Sequence, residues 1–232
     1  MNARKVKVPF FEIGPKSYLY GDDILELAKA ADAASEKYGV DIIFTTPVVD
    51  IRRVREATKN IHVFAPHMDP IPVGRGLADI LPESLVAAGA DGVMLNHVEK
   101  PLPFETLEAT IARANEVGLT TIVCADSLAE ASRIATLSPD IIVAEPSELI
   151  GTGVSVGKEY VEAAVKSVAD VNPEILVLTA AGISNGEDVY NTIIAGADAT
   201  GSSSGVAKAK DRAAMVDEMI AAVRRAWDER QK

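Results

Sequence analysis

DGVMLNHVEKPLPFETLEATIARANEVGLTTIVCA, residues 91–125, carries one complete structural unit. It starts with a continuous apolar run (91–96) and passes through a polar stretch with two prolines. From Phe104 to Val117 its apolar residues then recur at helical spacing. Gly118 follows, a residue that ends helices by taking a left-handed conformation, and a second apolar run, TTIVCA (120–125), begins. The two runs are continuous rather than alternating. That pattern belongs to parallel strands covered on both faces, so the stretch reads as strand, helix, strand.

Working outward, the same unit recurs along the whole chain. Strand-like runs stand at VKVPFFEI (6–13), VDIIFTT (40–46), IHVFAP (61–66), DIIVAE (140–145), EILVLTAA (174–181) and DATGSS (198–203). Helical patterns stand between them at 24–38, 159–171 and 213–230, while the third and fifth units leave room only for short helices. Glycines at KYGVDII, AAGADGV and IAGADAT repeat the role of Gly118. Eight units in 232 residues average about 29 each, near the length of a compact strand–helix repeat. With no linker or low-complexity segment, this is an α/β protein built as a single (β/α)8 barrel over residues 1–232. An open doubly wound sheet shares the alternation. In either architecture the functional residues belong at the C-terminal ends of the strands.

Composition narrows the function. A formal charge of −11 argues against binding nucleic acid, whose phosphates demand bulk positive charge. It leaves room for a small anion held by a nest of amides. One cysteine, Cys124, permits no internal disulfide; inside TTIVCA it reads as a small buried apolar residue. The basic N-terminal stretch lacks the apolar segment of a signal peptide, and no run is long enough to span a bilayer. The expectation is a cytoplasmic protein without membrane contact.

The strand ends concentrate chemistry. Lys16 follows strand 1, His97 and Glu99 follow strand 4, and Glu145 ends strand 6 ahead of a glycine-bearing loop, PSELIGTG. Strands 7 and 8 end instead in AAGIS and TGSSSG, rich in small residues with free backbone N–H groups, including Gly182, Ser184, Ser203 and Ser204. Amides in that position suit a phosphate and need no cationic side chain. A lysine after a strand is ordinarily a solvated charge, and a histidine there is ordinarily structural, which is how His62 and His67 read. The conjunction of Lys, His and Glu at one mouth, opposite amide-rich loops, is what points to catalysis.

These stretches carry a resemblance. LNHVEK, AEPSELIGTG, AAGIS, SSSGVAKAKD and ILPESLVAAGADGVMLNH, in this order and spacing, resemble the triosephosphate isomerase family in its short archaeal-type branch. The resemblance runs over nearly the whole chain. It implies a TIM barrel acting in carbohydrate metabolism as an aldose–ketose isomerase of a small phosphorylated sugar, with no cofactor and no metal, and assembled as a homodimer or homotetramer. By the same resemblance Glu145 is the base that moves a proton between adjacent carbons, and His97 is a neutral electrophile. Lys16 stabilises the developing negative charge and Glu99 holds Lys16. Ile150, Gly151, Gly182, Ser184, Ser203 and Ser204 grip the phosphate.

Three positions depart from the family pattern. Gly14 stands where the family has an Asn that helps bind substrate, Val98 replaces the Ser between His97 and Glu99, and Pro66 stands where the archaeal pattern has Gln. The glycine implies a gap in the pocket wall, which Pro15 keeps from collapsing. Two further readings therefore stand beside the triose-phosphate isomerase: the same chemistry on a four-carbon ketose phosphate, accommodated at Gly14, and an aldolase-like lyase using Lys16 as a Schiff base. The lyase reading is weakened because such a lysine must shed its proton, whereas Glu99 keeps it charged.

Overall fold

A computed structural model describes residues 5–232; the first four residues of the basic N-terminal stretch lie outside them. The described chain forms a closed barrel of eight parallel strands in sequential order. The strands are β1 (Phe10–Ile13), β2 (Asp41–Thr45), β3 (His62–Ala65), β4 (Gly92–Leu95), β5 (Thr120–Ala125), β6 (Ile141–Ala144), β7 (Leu176–Thr179) and β8 (Ala199–Ser202). Seven helices connect them: α1 (Asp22–Tyr38), α2 (Ile51–Ala57), α3 (Pro82–Ala88), α4 (Phe104–Val117), α5 (Leu128–Ala135), α6 (Lys158–Ala169) and α7 (Gly186–Ile194). The one-turn α8 (Ser204–Ala207) and the long α9 (Arg212–Arg230) follow β8. The closed barrel excludes the open sheet.

Alternation along each strand sorts the apolar residues into two cores. Phe10, Ile43, Phe64, Ile122, Ile141, Leu178 and Ala199 point inward and fill the barrel. Their neighbours, such as Phe11, Ile13, Ile42, Phe44, Val63 and Ile142, point outward and pack beneath the helices. Both faces of every strand are thus buried, which is the physical cause of the unbroken apolar runs. Gly39, Gly89 and Gly118 end α1, α3 and α4 in the left-handed conformation, where a side chain would be strained. Helix α9 packs against both α1 and α7 and so closes the helical ring. Asp217 accepts from Lys37 Nζ at 2.6 Å and Tyr38 Oη at 2.9 Å across the α1–α9 seam.

One device repeats at the N-terminal end of the barrel. Asp41, Asp91, Asp140 and Asp198 each begin or immediately precede an even-numbered strand. Their carboxylates accept a backbone N–H at or near the start of the preceding odd strand: Lys7 at 2.8 Å, Val63 at 2.9 Å, Thr121 at 2.8 Å and Val177 at 2.9 Å. Each satisfies an amide that the ladder leaves without a partner. Asp91 also accepts from Arg55 Nη1 at 3.0 Å, and Arg55 donates onward to the Ile61 carbonyl at 2.7 Å. Replacing Asp91 by Ala removes two acceptor contacts at this end. The expected cost is about 2 kcal/mol, a fall in melting temperature of roughly 4–8 °C for a chain of this size. Catalytic turnover per folded molecule should hold, because Asp91 lies at the opposite end of the barrel from the strand C-termini.

Candidate active site

The strand C-termini surround a cavity of about 910 Å³. The candidate catalytic and binding residues all line it: Gly14 and Lys16 after β1, His97 and Glu99 after β4, Glu145, Ile150 and Gly151 after β6, Gly182 and Ser184 after β7, and Ser203 and Ser204 after β8. Barrel closure is what unites them, since β1 and β8 are neighbours only once the sheet is circular.

Lys16 sits at φ 47°, a conformation that L-residues rarely adopt, in the turn where Tyr18 N–H bonds to the Pro15 carbonyl at 3.1 Å. Strain of this kind persists only where surrounding structure enforces it. Here it directs Nζ across the mouth to Glu99 Oε1 at 3.0 Å. The backbone N–H of Glu99 in turn donates to Nδ1 of His97 at 3.1 Å. An imidazole accepting at Nδ1 carries its proton on Nε2, and Nε2 lies 3.9 Å from Glu145 Oε2. Burial, with a smaller push from Lys16, lowers the His97 pKa, and Glu99 opposes the change. The ring is therefore a neutral donor at neutral pH. Burial raises the Glu145 pKa, while Lys16 acts to lower it, so this carboxylate is a stronger base than one in water.

A polar strap, missed in the sequence, holds the β4 and β5 exits together. Asn96, at φ 57°, donates from Nδ2 to the Cys124 carbonyl at 3.0 Å and to Glu130 Oε1 at 3.2 Å, and its Oδ1 accepts the Leu102 N–H at 2.9 Å. Glu130 also accepts the Asp126 N–H at 2.8 Å, and Asp126 accepts the Ser147 N–H at 2.6 Å. The chain of contacts thus runs from the turn bearing His97 to the loop that follows Glu145. The available signal was the Ser127–Glu130 spacing, which marks a helix start; Ser127 does cap α5.

On the far side, the N–H groups of Gly182, Ile183, Ser203 and Ser204 have no acceptor among the described residues. Gly182 has φ 69°, and a Cβ there would fall 2.0 Å from the Val154 carbonyl oxygen, so the loop after β6 rests directly on the loop after β7. A Cβ on Gly205 would meet the Ile183 carbonyl oxygen at 2.5 Å, so the β7 and β8 loops are equally close. Ser184 differs from its neighbours. Its N–H and its hydroxyl both donate to Asp188 Oδ2 at 2.9 Å, so it lines the cavity with its donors already engaged.

The gap expected at Gly14 is not there. A Cβ on Gly14 would lie 2.9 Å from Oε1 of Glu12, so the Glu12 side chain fills the space where the family's Asn would sit. Glu12 belongs to an inward-facing position of β1 and lines the cavity, and its Oε1 is buried with no hydrogen-bond partner. Burial drives its pKa up to about 7; Glu145 adds to the rise, while the neighbouring Thr45 hydroxyl and Lys16 oppose it. Sequence reasoning passed over Glu12 as one more residue of VKVPFFEI. The signal was a lone carboxylate inside an apolar strand, two residues before the anomalous glycine. With the space filled, the structural argument for a longer ketose phosphate falls away. Among the described residues, no group of three or more His, Cys, Asp or Glu side chains is arranged to hold a metal ion.

The geometry can be set beside known proteins. Residues 15–221 match the family model described as triosephosphate isomerase. The chain is 38% identical over 216 residues to a triosephosphate isomerase of Methanobacterium bryantii, covering 91% of this chain and 95% of that protein. It is 36% identical over 225 residues to one of Saccharolobus solfataricus, covering 95% and 99%. A third, of Methanocaldococcus jannaschii, is 40% identical over 203 residues, covering 86% and 92%.

Glu12 makes stability depend on pH in a predictable direction. In the folded chain its carboxyl keeps a proton up to about 7, against an ordinary 4.5. The native state therefore binds more protons than the unfolded state between these values, and stability falls as pH rises through that window. The displacement corresponds to about 3 kcal/mol. Melting curves at pH 5 and pH 8 should show wild type losing roughly 5–10 °C relative to Glu12→Gln, which has no proton to lose.

Proposed function

The chain belongs to the triosephosphate isomerase family, and from that premise we propose that it interconverts glyceraldehyde 3-phosphate and dihydroxyacetone phosphate. The observation that carries the reading is the placement of Glu145 Oε2 3.9 Å from His97 Nε2, with Lys16 and Glu99 paired at 3.0 Å in the same cavity. Glu145 removes a proton from the carbon beside the carbonyl and returns it to the neighbouring carbon. His97 donates from Nε2 to the oxygen on which charge develops, and Lys16 stabilises the resulting enediolate. Glu99 holds Lys16 in position. The same contact engages Lys16 Nζ at 3.0 Å, leaving it poorly placed to attack a carbonyl, and this disfavours the lyase reading.

The phosphate sits against the amides of Gly151, Gly182, Ser203 and Ser204, beside Ile150. Because the loop after Glu145 touches the β7 loop at Gly182, phosphate binding and the placement of the base are coupled through one contact. Closure of that loop excludes water and protects the enediolate from losing phosphate.

The protein acts as a homodimer or homotetramer. Tyr20, Val49, Val73 and Leu77 are exposed on three successive loops at the mouth end, an apolar surface suited to a second copy. No helix among the described residues is long and apolar enough to cross a membrane. The free thiol of Cys124, buried, fits a reducing compartment, and the proposed location is the cytoplasm.

A coupled isomerase assay across three- and four-carbon sugar phosphates tests the reading. Glu145→Gln should lose at least about 10³-fold in kcat while remaining folded, since a positioned base contributes on that scale. Turnover near wild type in the folded variant would overturn the assignment. Millimolar inorganic phosphate should inhibit competitively, and Gly182→Leu should raise KM roughly tenfold or more through backbone strain and the clash with Val154. Inhibition that is absent, or equal in wild type and variant, would remove the phosphate site from these loops.

A further inference from the structure

Glu12 stands apart from the chemistry assigned so far, and its surroundings show that it is built in. The register of β1 against β8 sets Glu12 opposite Gly201. A Cβ on Gly201 would lie 3.0 Å from Glu12 Cβ and 3.2 Å from Oε2, and one on Gly14 would lie 2.9 Å from Oε1. Two positions without side chains thus make the slot in which the carboxyl lies. Oε1 is shielded from solvent, and the equally buried Thr45 hydroxyl is its polar neighbour, near enough to restrain the rise in its pKa but outside good hydrogen-bond geometry, so neither atom is fully satisfied within the chain. Native structures leave few buried polar atoms unpaired, and each one that remains calls for an explanation, a role in the chemistry of the site among them.

We propose that Glu12 is a substrate-recognition group of this isomerase, donating an O–H hydrogen bond from its neutral carboxyl to the oxygen on which the enediolate charge develops. The proposal rests on the isomerase reading. Only the neutral form has a proton to give; a carboxylate accepts hydrogen bonds and nothing more. An ionised Glu12 would also place a second negative charge beside Glu145 and the anionic intermediate, opposing the step that the site must favour. Burial supplies the neutral form, holding the carboxyl protonated up to about 7. The ionisable groups that line the cavity with it are Lys16 and Tyr18 after β1, His97, Glu99 and Lys100 after β4, Cys124 and Glu145, with His67, Asp69 and Asp79 on the β3 loop and Lys208 after β8. Lys16 and Glu145 are the charges that act on it, in opposite directions. Loss of the Glu12 proton then costs the enzyme its donor, so catalytic efficiency declines above neutral pH.

The test is an exchange of donors read through a pH profile. Glu12→Ala should lower kcat/KM roughly 10–100-fold near pH 6.5, the scale of a lost buried hydrogen bond. Glu12→Gln, whose amide is a donor at every pH, should recover most of that loss and abolish the decline above neutral pH. Gly14→Asn alone should be impaired, because its side chain meets Glu12. Combined with Glu12→Ala it should regain activity, since an Asn amide then occupies the slot, and its profile should be flat on the alkaline side. An Ala variant with unchanged kcat/KM, or an alkaline decline that persists in Glu12→Gln, would overturn the proposal. Wild type without triose-phosphate turnover would instead overturn the isomerase reading. A second measurement, independent of turnover, is a carbon-13 titration of labelled glutamate carboxyls with glycerol 3-phosphate as unreactive probe. The Glu12 signal should stay neutral to higher pH when the probe is bound, and a titration indifferent to the probe would overturn the role.

Discussion

Pairing of β1 with β8 is the contact on which the site depends. It joins the first strand of the chain to the last strand, with Phe10 opposite Ala199, Glu12 opposite Gly201 and Ile13 opposite Ser202. Without it the sheet has two free edges, and the β1 loop bearing Lys16 lies far from the β8 amides. With it the cavity has a continuous wall, and the small residue at position 201 leaves room for the carboxyl at position 12. Because a parallel strand can be rejoined only through a crossover, every strand exit falls at the same end. The ring of functional groups is therefore a consequence of closure.

Electrostatics then assign roles to residues of similar kind. Three glutamates line the mouth, and their environments separate them. Glu99 is largely exposed and paired with Lys16. Glu145 is mostly buried beside a neutral imidazole, which makes it a better base. Glu12 is the most enclosed, and desolvation outweighs the pull of Lys16. An imidazolium at position 97 would disturb this order by attracting Glu145; the Glu99 N–H on Nδ1, together with burial, keeps the ring neutral.

Legibility in the sequence followed the range of the interaction. Helix α4 and strand β5 span the residues that their patterns mark out, because period and glycine caps are local signals. The run at 6–13 is longer than β1, which begins only at Phe10 where it can pair with Asp41 and Ala199. Lys16, His97, Glu99 and Glu145 were visible as polar residues at strand ends. The Asn96–Glu130 strap was not, since its partners are 34 residues apart and neither is unusual where it stands. Gly14 was read in isolation as a gap, although the side chain that fills it comes from two residues away on the same strand.

The amino-acid sequence by itself determined the repeating strand–helix unit, the doubly covered strands, and the end of the barrel at which Lys16, His97, Glu99 and Glu145 gather. Each of these follows from periodicity and from conformational preferences within a few residues. The tertiary structure alone decided that Glu12 enters the slot between Gly14 and Gly201, that Ser184 gives its donors to Asp188, and that His97 is held as the Nε2–H form. Those outcomes turn on which atoms meet across the closed barrel and how much water is excluded where they meet. A linear pattern of residue types carries neither quantity.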